Sequence, residues 1–371
     1  MTDERLNEAR EEIRRVDAEM AELFRRRMAA AAQVAAYKQD HGLPILDAAQ
    51  EQRVLERCLP LVPEPELQDY YVRYLENLMD LSKRYQRRLT EGRRVAYSGV
   101  PGAFAHIAAR RIFPDARLVA CPSFDAAYAA VEAGDCDSAV IPIENSYAGD
   151  VGPVLDLMFE GELHVSGVYS LPVTQNLLGV PGASTAQVKR VLSHPQALRQ
   201  CEGCIRSRGW ETGERVNTAV AAQEVARLGD PTVAAIASAE TADLMGLTVL
   251  ERHINDSEGN TTRFAVFSKA GEAEDAQGDR NFILMFVVRD APGALAAAIN
   301  VISNCGFNMK VLRSYPYKKR AWQFYFYVEA EGDAKSIEGQ LMLRALSRQC
   351  EKFKVAGHYS AETELKEGAA L

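Results

Sequence analysis

The first part of the chain repeats apolar residues at helical spacing. Ile13, Val16, Met20 and Leu23 recur at steps of three and four residues, which places them on one stripe of a long helix. The segment "HGLP" ends this helix, and "PLVPEPE" separates a short second helix from a third. Three helices of such unequal length leave the stripe uncovered, so we expect two chains to pair as a homodimer or to build a higher homo-oligomer.

Between Arg93 and about Lys269 the pattern changes to short apolar runs that alternate with alanine-rich helical segments. Runs such as "RRVAYSGV", "DSAVIPIE" and "TVAAIAS" are typical of buried strands. This alternation predicts βα units and a mainly parallel sheet, with ligands at the carboxyl ends of the strands. The number of predicted strands exceeds one small sheet, so we expect two lobes with a cleft between them.

The pattern changes again after an acidic segment at residues 271–280. Over residues 281–371, strand-like and helical runs follow the order strand, helix, strand, strand, helix, strand. This βαββαβ order predicts a ferredoxin-like α+β unit. The predicted fold class is therefore multidomain: an all-α helical segment at 1–91, a two-lobed α/β domain at 92–270, a linker, and the ferredoxin-like unit.

Composition narrows the class of protein. The chain has 371 residues, of which 47% are hydrophobic and 25% charged, as in soluble globular proteins of several domains. Its net charge of -8 argues against nucleic-acid binding, and no apolar run is long enough to span a membrane. Seven cysteines without framework spacing indicate reduced thiols in the cytoplasm. Cys201 and Cys204 form a lone C-x-x-C without a second cysteine pair or a histidine at ligand spacing, so we expect no bound metal. We also expect no cofactor.

Two cations continue the apolar stripe of the first helix. The three-four step leads from Leu23 to Arg27 and Lys38, about 16 Å apart along the axis, within reach of one small dianion. Buried cations require such a partner. Arg10 lies about 26 Å from Arg27 along the helix, so it could join that ligand only from a second subunit. The alternative is that all three cations are solvated or paired with acidic residues of the helix.

The segments "EAREEI", "LPILDAAQE" and "SKRYQ" resemble the all-helical chorismate mutase family. The resemblance implies an intertwined dimer that rearranges chorismate to prephenate. That pericyclic reaction needs no nucleophile, only a held conformer and donors to the breaking ether bond, here Lys38 and Gln86. The substrate contacts it implies are Arg10, Arg27, Lys38, Asp47, Glu51, Ser82 and Gln86, with Glu51 also counted as catalytic. One position departs from the family pattern, because Gln50 stands where an arginine is usual.

The middle segment resembles the prephenate dehydratase family. "YSGVPGAF", "PIENSYAGD", "SHPQALRQC", "NTAVAAQ" and "NTTRFAVF" occur in the order of that family. The resemblance implies loss of carbon dioxide and the ring hydroxyl from prephenate, giving phenylpyruvate, with Thr262 as hydrogen-bond donor to the leaving hydroxyl. Arg263 would bind a carboxylate or fix the loop. The cleft positions it implies are Glu144, Asn145, Ser193, Gln200, Thr218, Arg263 and Phe264. Taken singly, the residues at the strand-to-helix junctions are more typical of helix caps than of a ligand site. Thr262 and Arg263 are as typical of the start of a strand as of a binding site.

The last unit resembles an ACT domain of the kind fused to prephenate dehydratases. "PGAL" at 292–295 matches one family element, where free backbone N–H groups would hold the carboxylate of L-phenylalanine. The second element usually reads Glu-Ser-Arg-Pro and here reads Arg-Ser-Tyr-Pro, from Arg313 to Pro316. The regulatory positions that the resemblance implies are Gly293, Ala294, Leu295, Arg313 and Ser314.

Together these features predict a bifunctional enzyme of phenylalanine biosynthesis, both an isomerase and a lyase, with feedback by phenylalanine. Two alternatives remain. The chain could be a prephenate dehydratase alone, its helical segment kept as a dimerisation arm, as Gln50 would allow. It could also be a non-catalytic two-lobed protein that senses an aromatic metabolite, which the presence of Thr262 and Arg263 argues against.

Overall fold

The computed structural model describes residues 3–257, 259–269, 281–320 and 322–366. The chain forms two compact units, Met1–Arg93 and Arg94–Leu371. The predicted linker at 271–280 lies outside the described residues. Within those residues, no helix combines the length and the apolarity needed to cross a membrane.

The first unit contains three helices, as the sequence predicts. They are α1 (Asp3–Asp40), α2 (Ala48–Cys58) and α3 (Pro65–Glu91). Gly42 adopts φ +63°, a left-handed conformation that ends the long helix. Asp47 starts α2, because its side chain accepts the Gln50 N–H at 2.9 Å. Pro65 stands in the first turn of α3, where its missing N–H costs nothing.

Much of the apolar stripe on α1 is exposed in the single chain. The side chains of Ile13 and Leu23 are 59% and 57% accessible to solvent, whereas Ala31 and Ala35 are buried. The buried part of α1 packs on α3, where Leu75 is also buried. Among the described residues of the first unit, no element packs on the rest of the stripe.

The second unit begins with two α/β lobes. The elements of the first lobe are β1 (Arg94–Ser98), α4 (Phe104–Ile112), β2 (Arg117–Cys121), α5 (Phe124–Glu132), β3 (Ser138–Asn145), β4 (Gly149–Asp150), α6 (Gly152–Glu160) and β5 (His164–Pro172). Those of the second lobe are β6 (Asn176–Gly179), β7 (Arg190–Ser193), α7 (Pro195–Gln200), α8 (Glu202–Arg208), β8 (Glu211–Glu214), α9 (Thr218–Leu228), β9 (Val233–Ala237), α10 (Ala239–Met245) and β10 (Thr248–Glu251). The chain then returns to the first lobe as β11 (Thr261–Ser268).

The sheets are mixed, which corrects the expectation of mainly parallel pairing. In the first lobe β1 pairs parallel with β2 and β3, but β11 lies antiparallel between β3 and β5. In the second lobe β7 pairs parallel with β8 and β9, whereas β6 and β10 are antiparallel. Three of the antiparallel strands, β6, β10 and β11, lie next to the two crossings between the lobes, and the short β4 also pairs antiparallel with β3.

The C-terminal elements extend the first sheet. They are β12 (Asn281–Val288), α11 (Ala294–Asn304), β13 (Asn308–Pro316), β14 (Phe324–Glu331), α12 (Ile337–Gln349), β15 (Cys350–Tyr359) and β16 (Thr363–Glu364). Their strands lie in the order β13-β14-β12-β15, and β15 continues onto β5. Gly357 permits that junction, because a Cβ there would lie 2.3 Å from the carbonyl oxygen of Val165. One sheet therefore runs from the first lobe into the C-terminal strands.

Candidate active sites

A cavity of about 480 Å³ lies between the two lobes of the second unit. Strand ends and helix N-termini form its wall. Thr262 from β11 and Asn145 from β3 line one side, and Gln200 and Thr218 from the second lobe line the other. Phe104 and Gly152, at the first turns of α4 and α6, also border it, so several helix N-termini meet here. Such an arrangement favours a small organic anion.

The hydroxyl of Thr262 is oriented by Asn145. The two residues are direct neighbours across β11 and β3, and Asn145 Nδ2 lies 3.0 Å from Thr262 Oγ1. Asn145 Oδ1 accepts the N–H groups of Tyr147 at 3.1 Å and Ala148 at 2.9 Å, which fixes which end of the amide faces Thr262. Because Thr262 Oγ1 accepts a hydrogen bond from Asn145, its own proton remains to be donated into the cavity.

The second lobe also reaches Asn145. Gln196 Nε2, in the first turn of α7, donates to Asn145 Oδ1 at 3.1 Å. The amide of Asn145 therefore joins both lobes and the hydroxyl of Thr262 in one hydrogen-bond network. A movement of one lobe relative to the other would therefore change the hydrogen bond between Gln196 and Asn145.

Three amide side chains on the cavity wall have an unpartnered buried atom. Among the described residues, Gln175 Oε1, Gln200 Nε2 and Asn260 Nδ2 are buried without a hydrogen-bond partner. All three residues line the cavity. Because buried polar atoms are normally satisfied, these atoms are available to a bound ligand. They supply two neutral donors and one acceptor.

His194 lines the same cavity as a neutral donor. Burial, helped by the positive charge of Arg199, lowers its pKa below the ordinary histidine value, although Glu214 acts in the other direction. Its Nδ1 lies 3.2 Å from the Gln196 N–H and accepts it, so the remaining proton sits on Nε2. The imidazole is therefore uncharged near neutral pH.

A carboxylate from β4 completes the wall. Asp150 lines the cavity, and both of its oxygens are bonded to β13: Arg313 Nη1 donates to Oδ1, and the hydroxyl of Tyr315 donates to Oδ2 at 2.6 Å. Arg313 Nη2 also donates to Glu144 Oε1 at 2.6 Å. The C-terminal strands thus contact the cleft wall through their own side chains.

Arg263, the neighbour of Thr262 on β11, lies in a group of acidic residues. It donates to Glu329 through two nitrogens at 2.9 Å, to Glu144 at 2.9 Å and to Glu362 at 3.1 Å. Burial opposes its charge, but these carboxylates outweigh burial and raise the pKa of Arg263. The pKa of Glu144 is lowered, because Arg313 and Arg263 together overcome the effect of its burial. The network ties β11 to β14.

The first unit contains a smaller cavity, of about 150 Å³. The residues that line it include six predicted from the sequence: Arg27, Lys38, Asp47, Glu51, Ser82 and Gln86. Gln50 lines it as well. Arg10 is exposed elsewhere on α1 and is not among the lining residues.

Contacts within the small cavity hold its cations in place. Arg27 donates to the hydroxyl of Ser82 and, at 3.2 Å, to the carbonyl of Leu78, so α1 and α3 are joined there. Lys38 Nζ donates to the carbonyl of Ile45 at 2.6 Å. Burial lowers the pKa of Arg27. In the described part of the chain, Gln86 Oε1 is buried without a partner, which leaves it available to a ligand.

Comparison with known proteins assigns the two units that contain these cavities to two enzyme families. The family model for type II chorismate mutase matches residues 9–87, and the model for prephenate dehydratase matches residues 95–272. A bifunctional chorismate mutase/prephenate dehydratase from Aquifex aeolicus is 32% identical over 367 residues, which are 96% of this chain and 98% of that relative. The chain belongs to the bifunctional chorismate mutase/prephenate dehydratase family. The resemblance inferred from the motifs is confirmed for both enzymes.

Two further relatives match about three quarters of the chain. An arogenate dehydratase/prephenate dehydratase from Arabidopsis thaliana is 32% identical over 280 residues, covering 72% of this chain and 71% of the relative. The solved structure of a prephenate dehydratase from Arthrobacter aurescens in complex with L-Phe has a TM-score of 0.67 and 26% identity, covering 72% of this chain and 90% of that one.

The structure brings only half of the predicted dehydratase residues to the cleft. Thr262, Asn145, Gln200 and Thr218 line it; Arg263, Glu144, Ser193 and Phe264 do not. Successive strand residues face opposite sides of the sheet, which turns Arg263 and Glu144 toward the C-terminal strands. Ser193 is fully buried and donates to the carbonyl of Ile236 at 2.6 Å, and Phe264 lies in the apolar core. The pairing of Arg263 with Glu329, Glu144 and Glu362 agrees with its alternative role of fixing the loop, and its contact with substrate stays a prediction.

The predicted regulatory positions are divided between two elements. Gly293 has φ +79° and precedes α11, which begins at Ala294, and Leu295 packs on the apolar core of the C-terminal elements. Ser314 is exposed on β13. Arg313 bonds to Asp150 on the cleft wall and to Glu144 behind it, contacts that the sequence did not predict.

Sequence reasoning also missed several lining residues. They are Asp150, Gln175, His194 and Asn260 in the cleft, and Lys83 in the small cavity, where it pairs with Glu51 at 2.9 Å. Four of these stood inside motifs quoted above: His194 in "SHPQALRQC", Asp150 in "PIENSYAGD", Asn260 in "NTTRFAVF" and Lys83 in "SKRYQ". His194 directly follows β7, and that position was an available signal.

Proposed function

We propose that the chain converts chorismate to prephenate in its first unit, and prephenate to phenylpyruvate with loss of carbon dioxide and water in its second. The single observation that carries the dehydratase assignment is the Asn145–Thr262 contact of 3.0 Å at the wall of the cleft. It leaves the proton of Thr262 directed to a ligand. The family membership supports both reactions.

Departure of the ring hydroxyl is the step that the Thr262 proton assists. Hydroxide is a poor leaving group, so a hydrogen bond that strengthens as the C–O bond breaks lowers the barrier. A threonine hydroxyl is a weak acid, so Thr262 acts as an oriented donor. Asn145 holds the acceptor side of that hydroxyl, and Gln196 holds Asn145.

The neutral donors of the cleft suit the decarboxylation. The ring carboxylate loses its charge as carbon dioxide forms, so a cation bound to it would stabilise the ground state more than the transition state. Among the described residues that line the cleft, none is lysine or arginine. Gln200, Asn260 and the helix N-termini can bind the carboxylates by hydrogen bonds without that penalty.

The mutase reaction would use the small cavity of the first unit. Arg27 and Lys38 can pair with the two carboxylates, while Lys38 and Gln86 are placed to donate to the ether oxygen. Glu51 would lie near the hydroxyl of chorismate together with Asp47. Gln50 also lines this cavity, so it lies where the family arginine would act.

We further infer that a second copy of the chain covers the exposed stripe of α1 and supplies Arg10 to the mutase site in trans. The exposed side chains of Ile13 and Leu23 support this homodimer. The three-part division predicted from the sequence, 1–91, 92–270 and 281–371 with a linker at 271–280, is part of the same proposal, as is a cytoplasmic location.

The C-terminal elements support a regulatory role. Their order, strand-helix-strand-strand-helix-strand, and their strand order β13-β14-β12-β15 support the proposal of a ferredoxin-like ACT domain. L-phenylalanine would bind at the turn before α11, where the free backbone N–H groups would donate to its carboxylate. Calorimetry with phenylalanine beside dehydratase assays tests this: absence of binding up to about millimolar concentration contradicts it.

One experiment separates the two activities. The purified protein is supplied with chorismate, and prephenate and phenylpyruvate are followed separately. The wild-type protein should form both. Lys38→Met should abolish turnover of chorismate while leaving turnover of supplied prephenate unchanged. A wild-type protein that turns over prephenate only would establish the dehydratase-only alternative, and one that turns over neither would establish the metabolite sensor.

A further inference from the structure

The cleft presents a negative side chain to a substrate that is a dianion. Of the described residues that line this cavity, Asp150 alone carries a fixed charge, and that charge is negative. A bare carboxylate at this wall would repel the two carboxylates of prephenate. Its presence therefore requires a compensating group.

The compensating group comes from β13. Arg313 Nη1 donates to one oxygen of Asp150, and the hydroxyl of Tyr315 donates to the other at 2.6 Å. The other guanidinium nitrogen of Arg313 bonds to Glu144 at 2.6 Å. The side chains of Arg313 and Asp150 are 33% and 23% exposed, so water screens this pair only in part. A guanidinium in contact with a carboxylate cancels most of its field in the cleft.

We propose that Arg313, assisted by Tyr315, masks the charge of Asp150 and so sets the preference of the cleft for prephenate over its amino analogue. This inference rests on the proposed dehydratase function. The analogue, arogenate, carries an ammonium group where prephenate has a ketone. An unmasked Asp150 would attract that ammonium and repel prephenate, so Arg313 is a specificity-determining residue supplied by the C-terminal strands.

The test compares both substrates in the purified full chain, without added phenylalanine. The variants are Arg313→Gln, Asp150→Asn and the double variant, with Lys310→Gln as the matched control. Lys310 lies on the same strand and pairs with the exposed Glu331. Arg313→Gln should raise the KM for prephenate about tenfold with little change in kcat, and should raise the arogenate-to-prephenate ratio of kcat/KM by a similar factor. Lys310→Gln should change neither.

The double variant distinguishes charge masking from structural support. With Asp150 neutralised, Arg313→Gln should no longer matter, so the double variant should regain the KM and the substrate ratio of the wild-type protein. An Arg313→Gln variant with unchanged KM overturns the inference. A raised KM that Asp150→Asn fails to restore, or a KM raised equally for both substrates, also overturns it.

A milder change covers the case in which Arg313→Gln does not fold. Tyr315→Phe removes one hydrogen bond to Asp150 and keeps the ring, so it should raise the KM for prephenate about threefold and shift the ratio in the same direction. An unchanged ratio in a folded Tyr315→Phe variant, with Arg313→Gln unfolded, refutes the masking role. Absence of prephenate turnover by the wild-type protein refutes the proposed function itself, and is seen before any variant is compared.

Discussion

Glu329 on β14 offers a direct test of how the C-terminal strands support the Thr262 strand. Its carboxylate is 3% exposed and accepts four hydrogen bonds. Two come from Arg263 at 2.9 Å, and the others come from the hydroxyls of Tyr327 at 2.5 Å and Tyr359 at 2.7 Å. Glu329→Gln removes the negative charge. It also replaces one carboxylate oxygen by an NH2 group, which cannot accept the hydrogen bonds that Arg263 and the tyrosine hydroxyls donate there.

The cost follows from what remains around Arg263. Breaking a buried ion pair by changing one partner costs about 3–5 kcal/mol. Glu144 and Glu362 still pair with Arg263 in the variant, so the low end applies, about 3 kcal/mol. For the second unit, Arg94–Leu371, that lowers Tm by about 5 °C.

Calorimetry of the full chain measures this shift. Glu331→Gln is the matched control, because Glu331 lies on the same strand but is exposed and pairs with Lys310; it should lower Tm by less than about 2 °C. If Glu329→Gln and Glu331→Gln unfold at the same temperature, the network does not hold β11 and β14 together. Arg263→Met combined with Glu329→Leu should cost less than the sum of the two single changes, since both charges leave together.

The Arg263–Glu329 pair should also make the stability of the folded chain depend on pH. Arg263 and the two tyrosines outweigh burial and lower the pKa of Glu329 below its ordinary value of 4.5. A carboxylate with a lowered pKa contributes stability that is complete above the unfolded value and is lost as pH falls through the folded value. The difference in Tm between wild-type protein and Glu329→Gln should therefore shrink as pH falls below about 4.5.

Three further predictions concern the two sites. Thr262→Ala should lower dehydratase kcat by about 10²–10⁴ and leave mutase turnover intact, with Thr262→Ser much milder; near-normal kcat in the alanine variant would remove Thr262 from the mechanism. Because the pKa of His194 is lowered in the folded chain, stability should fall as pH drops below the ordinary histidine value of 6.5, and thermal melts of His194→Gln should show a shallower fall. Arg10→Ala and Arg27→Ala should each abolish mutase activity, and exchanged heterodimers should regain some; proven heterodimers without activity would contradict a site shared between subunits.

The helical unit shows what spacing can predict. Along a helix the face of a side chain follows from its position, so Arg27, Lys38, Ser82 and Gln86 could be assigned to one pocket from spacing and family pattern. Lys83 was missed because it follows Ser82 directly and reaches the cavity by its length, pairing with Glu51. The position of Arg10 relative to the site depends on a second chain, which no spacing within one helix reveals.

The cleft shows where local pattern is insufficient. Thr262 could be predicted because the motif and the start of a strand coincide, but the side of the sheet that each neighbour faces depends on what covers it. Arg263 is covered by Glu329, which is 66 residues away, and Asp150 by Arg313, which is 163 residues away. Such contacts form only once β14 and β13 have joined the sheet. The sequence therefore identified the chemistry of these residues without identifying their partners.

Strand geometry explains why Thr262, Arg263 and Phe264 work as one unit although only one of them meets the cleft. Alternation turns Thr262 to the cavity and Arg263 to the acidic residues of the opposite face, and a bulge in the pairing with β3 follows directly before the buried Phe264. Phe264 packs in the apolar core, and the ion pairs of Arg263 hold the opposite face of the strand. The Asn145 hydrogen bond, the packing of Phe264 and the ion pairs of Arg263 together hold the Thr262 hydroxyl in place. Little conformational entropy is then lost when the hydroxyl meets the substrate, which helps a weak donor to act. Any ligand that moves β14 would act on Thr262 through Arg263, without entering the cleft.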